Sequence, residues 1–99
     1  MEPTYAEVAW VLEQLGYVDK STDEFFRFYN EKEDHLVILP FRTSQELLNA
    51  NRFAAVSSEL EHTGVIQHIH DLGKMIKKRR LKKTSQHTLA KKTGKAAAG

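Results

Sequence analysis

EFFRFYN (residues 24–30), EKED (31–34) and HLVILP (35–40) stand in a row and decide the fold. Two runs rich in aromatic and branched residues, separated by a polar loop from Asn30 to Asp34, are the signature of a β-hairpin. Alternation along the first run sends Phe26 and Phe28 to one face, and Phe25, Arg27 and Tyr29 to the other. Along the second run Leu36 and Ile38 oppose Val37 and Leu39. Two helices can cover only one face of such a sheet, and the face with Phe26 and Phe28 is expected to be the covered one. The opposite face would then present aromatic and aliphatic side chains around an arginine, which suits a partner surface.

Upstream of the hairpin, Thr4 and Glu7 stand at capping-box spacing and Gly16 is a stop signal, so a helix is predicted from about Tyr5 to Leu15. Its apolar stripe is Tyr5, Val8, Val11, Leu12 and Leu15. Trp10 falls on the opposite side, among Ala6, Glu13 and Gln14. There it is either a partner contact or a ring folded over a neighbouring loop or the tail. Tyr17 to Lys20 reads as a short strand and Ser21-Thr22-Asp23 as the turn into the hairpin, which completes a three-stranded antiparallel meander.

Downstream, Pro40 ends the third strand, and Thr43 with Glu46 repeats the capping-box spacing ahead of a turn of helix carrying Leu47 and Leu48. Asn51 is the expected N-cap of a helix from Arg52 to Thr63, closed by Gly64. Phe53, Val56, Leu60 and Thr63 form its buried stripe, and the outer face of Ala54, Ser58, Glu61 and His62 is neutral to acidic. Ile66, Ile69, Leu72 and Ile76 keep helical spacing, which predicts a third helix from about Ile66, weakened at Gly73. Beyond Ile76 the stripe stops. An α+β domain over residues 1–76 is therefore expected, with 77–99 as a basic, disordered tail.

At 99 residues and 40% hydrophobic content the chain suffices for one small core. It has no cysteine, which excludes a disulfide framework and thiolate metal sites and fits a reducing compartment. Met1-Glu2-Pro3 is an acidic start, and no apolar run approaches a signal peptide or a membrane span, so a soluble cytoplasmic protein without a membrane partner is expected. The formal charge of +2 conceals an asymmetry: residues 1–70 carry five Lys/Arg against twelve Asp/Glu, and residues 71–99 carry ten against one. The first part is thus strongly acidic and the second strongly basic.

That basic segment carries the functional signal. Lys74, Lys77, Lys78, Arg79, Arg80, Lys82 and Lys83, continued by Lys91, Lys92 and Lys95, lack interleaved aromatics and suit phosphate neutralisation, which supplies affinity without sequence readout. The alternative is a solubilising tail or an internal counter-charge for the acidic body. His68 and His70 invite a metal reading, but residues two apart on a helix point about 200° apart, and a third ligand is not evident. Neither a Gly-rich phosphate loop nor a nucleophile elbow can be read, and no cofactor is expected.

The order of helix, three antiparallel strands and helix is similar to the double-stranded-RNA-binding-domain arrangement. More specifically, Gly16-Tyr17-Val18, Phe25-Phe26-Arg27-Phe28, Val37-Ile38-Leu39-Pro40, Phe53 to Leu60 and Gly64-Val65 resemble the HicA family of small bacterial toxins. The resemblance covers about Val8 to Leu72. It implies a ribonuclease ancestry, with a catalytic His in a Gly-Ser-His motif and an antitoxin-like protein partner. Counting back from Phe26, that motif falls on Ser21-Thr22-Asp23, so Asp23 stands where the family's His would be. A carboxyl of ordinary pKa, near about 4, is a poor general acid at neutral pH. The leading reading is therefore a non-catalytic HicA-like protein that binds nucleic acid, RNA in particular, through its basic C-terminal segment. One alternative is a ribonuclease with Asp23, Arg27 or His35 recruited. The other is an interaction module that binds an antitoxin-like partner, or a second copy of itself, through Trp10, Phe25, Arg27 and Tyr29.

Overall fold

The computed structural model describes residues 1–40, 43 and 45–82. Chain order is α1 (Tyr5–Gln14), β1 (Val18–Asp19), β2 (Phe25–Asn30), β3 (His35–Pro40) and α2 (Ala50–Thr63), followed by a further helix, α3, over residues 71–82. The strands form one antiparallel sheet in the order β1-β2-β3. The fold is α+β, with one sheet face under the helices.

Helix α1 starts where its local chemistry says it should. Thr4 Oγ1 accepts from the Glu7 N–H at 3.1 Å, and Glu7 Oε1 accepts from the Thr4 N–H at 2.9 Å, so each of two otherwise unpaired backbone donors is satisfied by the other residue's side chain. Tyr5, Val8, Val11 and Leu12 are buried along one face. Gly16 then takes φ +93°, a left-handed turn that favours glycine and redirects the chain into the sheet.

The hairpin register pairs Phe26 with Leu39 and Phe28 with Val37. All four side chains are buried against the helices, while Phe25, Leu36 and Ile38 on the other face are 45%, 37% and 50% exposed. The covered face is the one the alternation predicts. Tyr5 of α1 meets the Phe26 ring edge-on at 5.5 Å, and Phe26 and Phe28 lie 4.5 Å apart, which locks helix to sheet through aromatic contact. At the loop end, the buried Asn30 donates to Leu15 O and accepts from the Glu33 N–H, so its polar atoms are satisfied where they leave water.

Several local expectations give way to longer-range pairing. Strand β1 is two residues long because, past Asp19, the Ser21 and Thr22 hydroxyls accept from the Arg27 and Phe25 N–H groups. No helical turn forms at Leu47 and Leu48. Leu48 N–H donates to Pro3 O, Tyr5 N–H donates to Glu46 O, and Thr4 bridges Leu47, so this segment straps the N-terminus instead. Asn49, not Asn51, caps α2: its side chain accepts from the Asn51 N–H, while Gly64 closes the helix at φ +85°. Residues 66–70 are turns rather than the start of α3. The Asp71 carboxylate accepts from the N–H groups of Gln67 and His68 and holds that turn.

Candidate nucleic-acid interface

Helix α3 carries the described cations of the basic C-terminal segment, and its periodicity sorts them. Leu72 and Ile76 are fully buried and define the inner side. Arg79 and Arg80 flank that side and return to α1. The Arg79 guanidinium lies 4.9 Å from the centroid of the Trp10 ring, and Arg80 donates to both Glu7 oxygens, Nε to Oε2 at 2.5 Å and the terminal nitrogen to Oε1 at 2.6 Å. Ordered structure therefore continues past Ile76, the expected boundary, because these two arginines have partners on α1. Trp10 is the ring covered by a neighbouring element. Lys74, Lys77, Lys78 and Lys82 recur at i, i+3, i+4 and i+8, share the outer face at about 100° per residue, and are all exposed. Lys83, Lys91, Lys92 and Lys95 lie outside the described residues.

Glu7 is thus both capping-box partner and ion-pair acceptor. Hydrogen bonding from Arg80, supported by Thr4, holds its carboxyl at about 2 against the opposing effect of burial. A depressed carboxyl contributes stability that is fully present above its ordinary value of 4.5 and is lost as pH falls towards about 2. Glu7→Gln, which keeps a cap acceptor and removes the charge, is expected to cost about 1–2 kcal/mol at neutral pH, allowing for the exposure of Arg80. Urea melts should show that difference shrinking as both proteins are taken to strongly acid pH.

The three residues considered for ribonuclease chemistry are not brought together. Asp23 is exposed in the bend before β2. Phe25 pairs with Pro40 and Asn30 with His35, so Asp23 and His35 sit at opposite ends of the hairpin, roughly 17 Å apart at strand rise. His35 instead joins three elements. The Tyr17 hydroxyl is 2.7 Å from His35 Nδ1, and Glu59 Oε2 on α2 is 3.6 Å from Nε2. Burial, with the charges of Glu33 and Glu59, pushes the Tyr17 hydroxyl up to about 12, so it stays protonated beside Nδ1. His35 acts as a strut, beside a shallow cleft that Ser58 and His62 also line. Hairpin register alone could have placed His35 beside Asn30. Nothing in the sequence pairs it with Glu59.

The proposed partner residues divide. Trp10 is half-buried on α1 under Arg79, whereas Phe25, Arg27 and Tyr29 share the outer sheet face with Leu36 and Ile38. Tyr29 donates to Asp34 Oδ1 at 2.8 Å, which raises the phenol's pKa. Arg27 Nε is buried without a hydrogen-bond partner among the described residues. His68 and His70 lie in the turn before α3, not on a helix, with rings 4.9 Å apart. Among the described residues no group of three or more His, Cys, Asp or Glu is placed to hold a metal ion, and no described helix is long and apolar enough to cross a membrane.

No family model, curated protein or solved structure matches this chain.

Proposed function

We propose that this is a HicA-like protein without ribonuclease chemistry that binds nucleic acid, RNA in particular, by laying phosphates along the outer face of α3. The observation that carries the reading is the division of cations on that helix: two arginines turned in to Glu7 and Trp10, and four lysines exposed along one stripe. A stripe of ammonium groups backed by a packed helix neutralises a run of phosphates and reads no bases directly. The wide separation of Asp23 and His35 supports a non-catalytic role, and a chain free of cysteine suits the cytoplasm. Retention of single-stranded RNA over a salt series, by the wild type and by a variant with Lys74, Lys77, Lys78 and Lys82 changed to Gln, tests the reading. Deleting residues 77–99 is a poorer test, since it also removes Arg79 and Arg80 from α1.

A second reading has its own observation. The outer sheet face exposes Phe25, Leu36 and Ile38 around an arginine whose Nε is buried and unpaired among the described residues, and β3 is a sheet edge. An antitoxin-like protein or a second copy that brings a carboxylate to Arg27 would satisfy both features.

A further inference from the structure

Beside the lysine stripe, a groove of about 550 Å³ runs between α2 and α3, within the range of roughly 300–1,000 Å³ found for small-molecule sites. Its bed is apolar: Phe53 and Ala54 from α2, with Met1 and Ile69 at the edges. Ile69 and Met1 remain 41% and 39% exposed, so this apolar surface is not yet covered. Gly73 adds no side chain to the floor, where a Cβ would lie 3.4 Å from Met1 Sδ. The buried Ser57 lies in the same lining. The cationic Lys74 and Lys77, with His70 beside them, form the rim. A larger concavity beside the hairpin loop is bordered by Glu31 and Glu33 with Lys32 between them, and so has no cationic excess to hold an anion.

We propose that this groove takes an unstacked base of a single-stranded nucleic acid, with the flanking phosphates on Lys74 and Lys77. The inference rests on the nucleic-acid reading above and narrows it to single strands. Charge complementarity selects the occupant: an apolar bed under an ammonium rim fits a flat, weakly polar body that carries an anion on its own backbone. The two rim lysines belong to the stripe, so phosphates tracking the stripe bring their bases to the groove. A duplex base reaches it only after being unstacked and unpaired, which penalises duplexes. With Phe53 only 7% exposed, the contacts are largely aliphatic and tolerant of sequence.

The test compares binding of a short labelled single-stranded RNA and its duplex to the full-length chain and to two groove variants. Ala54→Phe fills the bed from an exposed helix position, and Ile69→Ser removes the partly exposed wall, so both should melt near the wild-type temperature. The expected result is tighter binding of the single strand, weakened about tenfold by either variant, with duplex binding unchanged. Single-strand affinity unchanged in both variants but lowered by Lys74→Gln would overturn the groove and leave the phosphate reading standing. Failure of the wild type to bind either RNA at low salt would overturn both. Binding of an acidic amphipathic peptide that is lost in Ala54→Phe, with RNA affinity unaffected, would assign the groove to a protein and refute the inference.

Discussion

Changing Lys74, Lys77, Lys78 and Lys82 to Gln is expected to lower the affinity for single-stranded RNA by roughly 10²–10³ at 0.1 M salt and to make the plot of log affinity against log salt shallower by about 3. Each phosphate contact on a single strand contributes about 0.7 to that slope through released counterions. Four contacts therefore account for the change if each lysine meets one phosphate. Stability should hardly move, because the four ammonium groups are exposed and the helix is held by Leu72, Ile76, Arg79 and Arg80. Equal slopes for variant and wild type would exclude the stripe as the phosphate contact.

Phe28→Ala is expected to cost about 3–5 kcal/mol, a large part of the roughly 5–15 kcal/mol that such a domain has in total. Phe28 is 1% exposed, stands 4.5 Å from the Phe26 ring and pairs with the buried Val37. Truncating it opens a cavity between sheet and helices that the fixed register cannot close. Phe25→Ala, one face away and 45% exposed, should cost under about 1 kcal/mol in the monomer. Thermal melts at low concentration separate the two variants. A larger loss at Phe25 would mean that the buried and open faces of the sheet are exchanged.

These elements show where the sequence is transparent. The period-two alternation of residues 25–30 and 35–40 determines which face is buried, since a slip by one residue would turn Phe26 and Phe28 outward and bring Phe25, Arg27 and Tyr29 in. Thr4 and Glu7 are equally legible because a capping box is complete within four residues. Thr43 and Glu46 have the same spacing and make no helix. There the backbone pairs with Pro3, Thr4 and Tyr5 across the molecule, and tertiary pairing outweighs local preference. Ile66 and Ile69 mimic a helical stripe, yet the Asp71 carboxylate organises them as a turn.

The site was legible in its charge but not in its geometry. Ten cations in the last 29 residues announce a basic element. That Arg79 and Arg80 face inward while the lysines face out depends on Trp10 and Glu7, about seventy residues away in sequence. No local pattern encodes that contact. The Tyr17, His35 and Glu59 contacts, and the groove under Lys74 and Lys77, likewise arise only when α2 and α3 pack against their neighbours.

Lysine footprinting tests the central claim most directly: the full-length protein is acetylated with and without saturating single-stranded RNA, and each lysine is read by mass spectrometry. Lys74, Lys77, Lys78 and Lys82 should be protected by the RNA, and Lys20 and Lys32, exposed near the sheet, should react alike in both samples. Equal labelling of the four α3 lysines with and without RNA, or protection centred on Lys20 and Lys32, would contradict it.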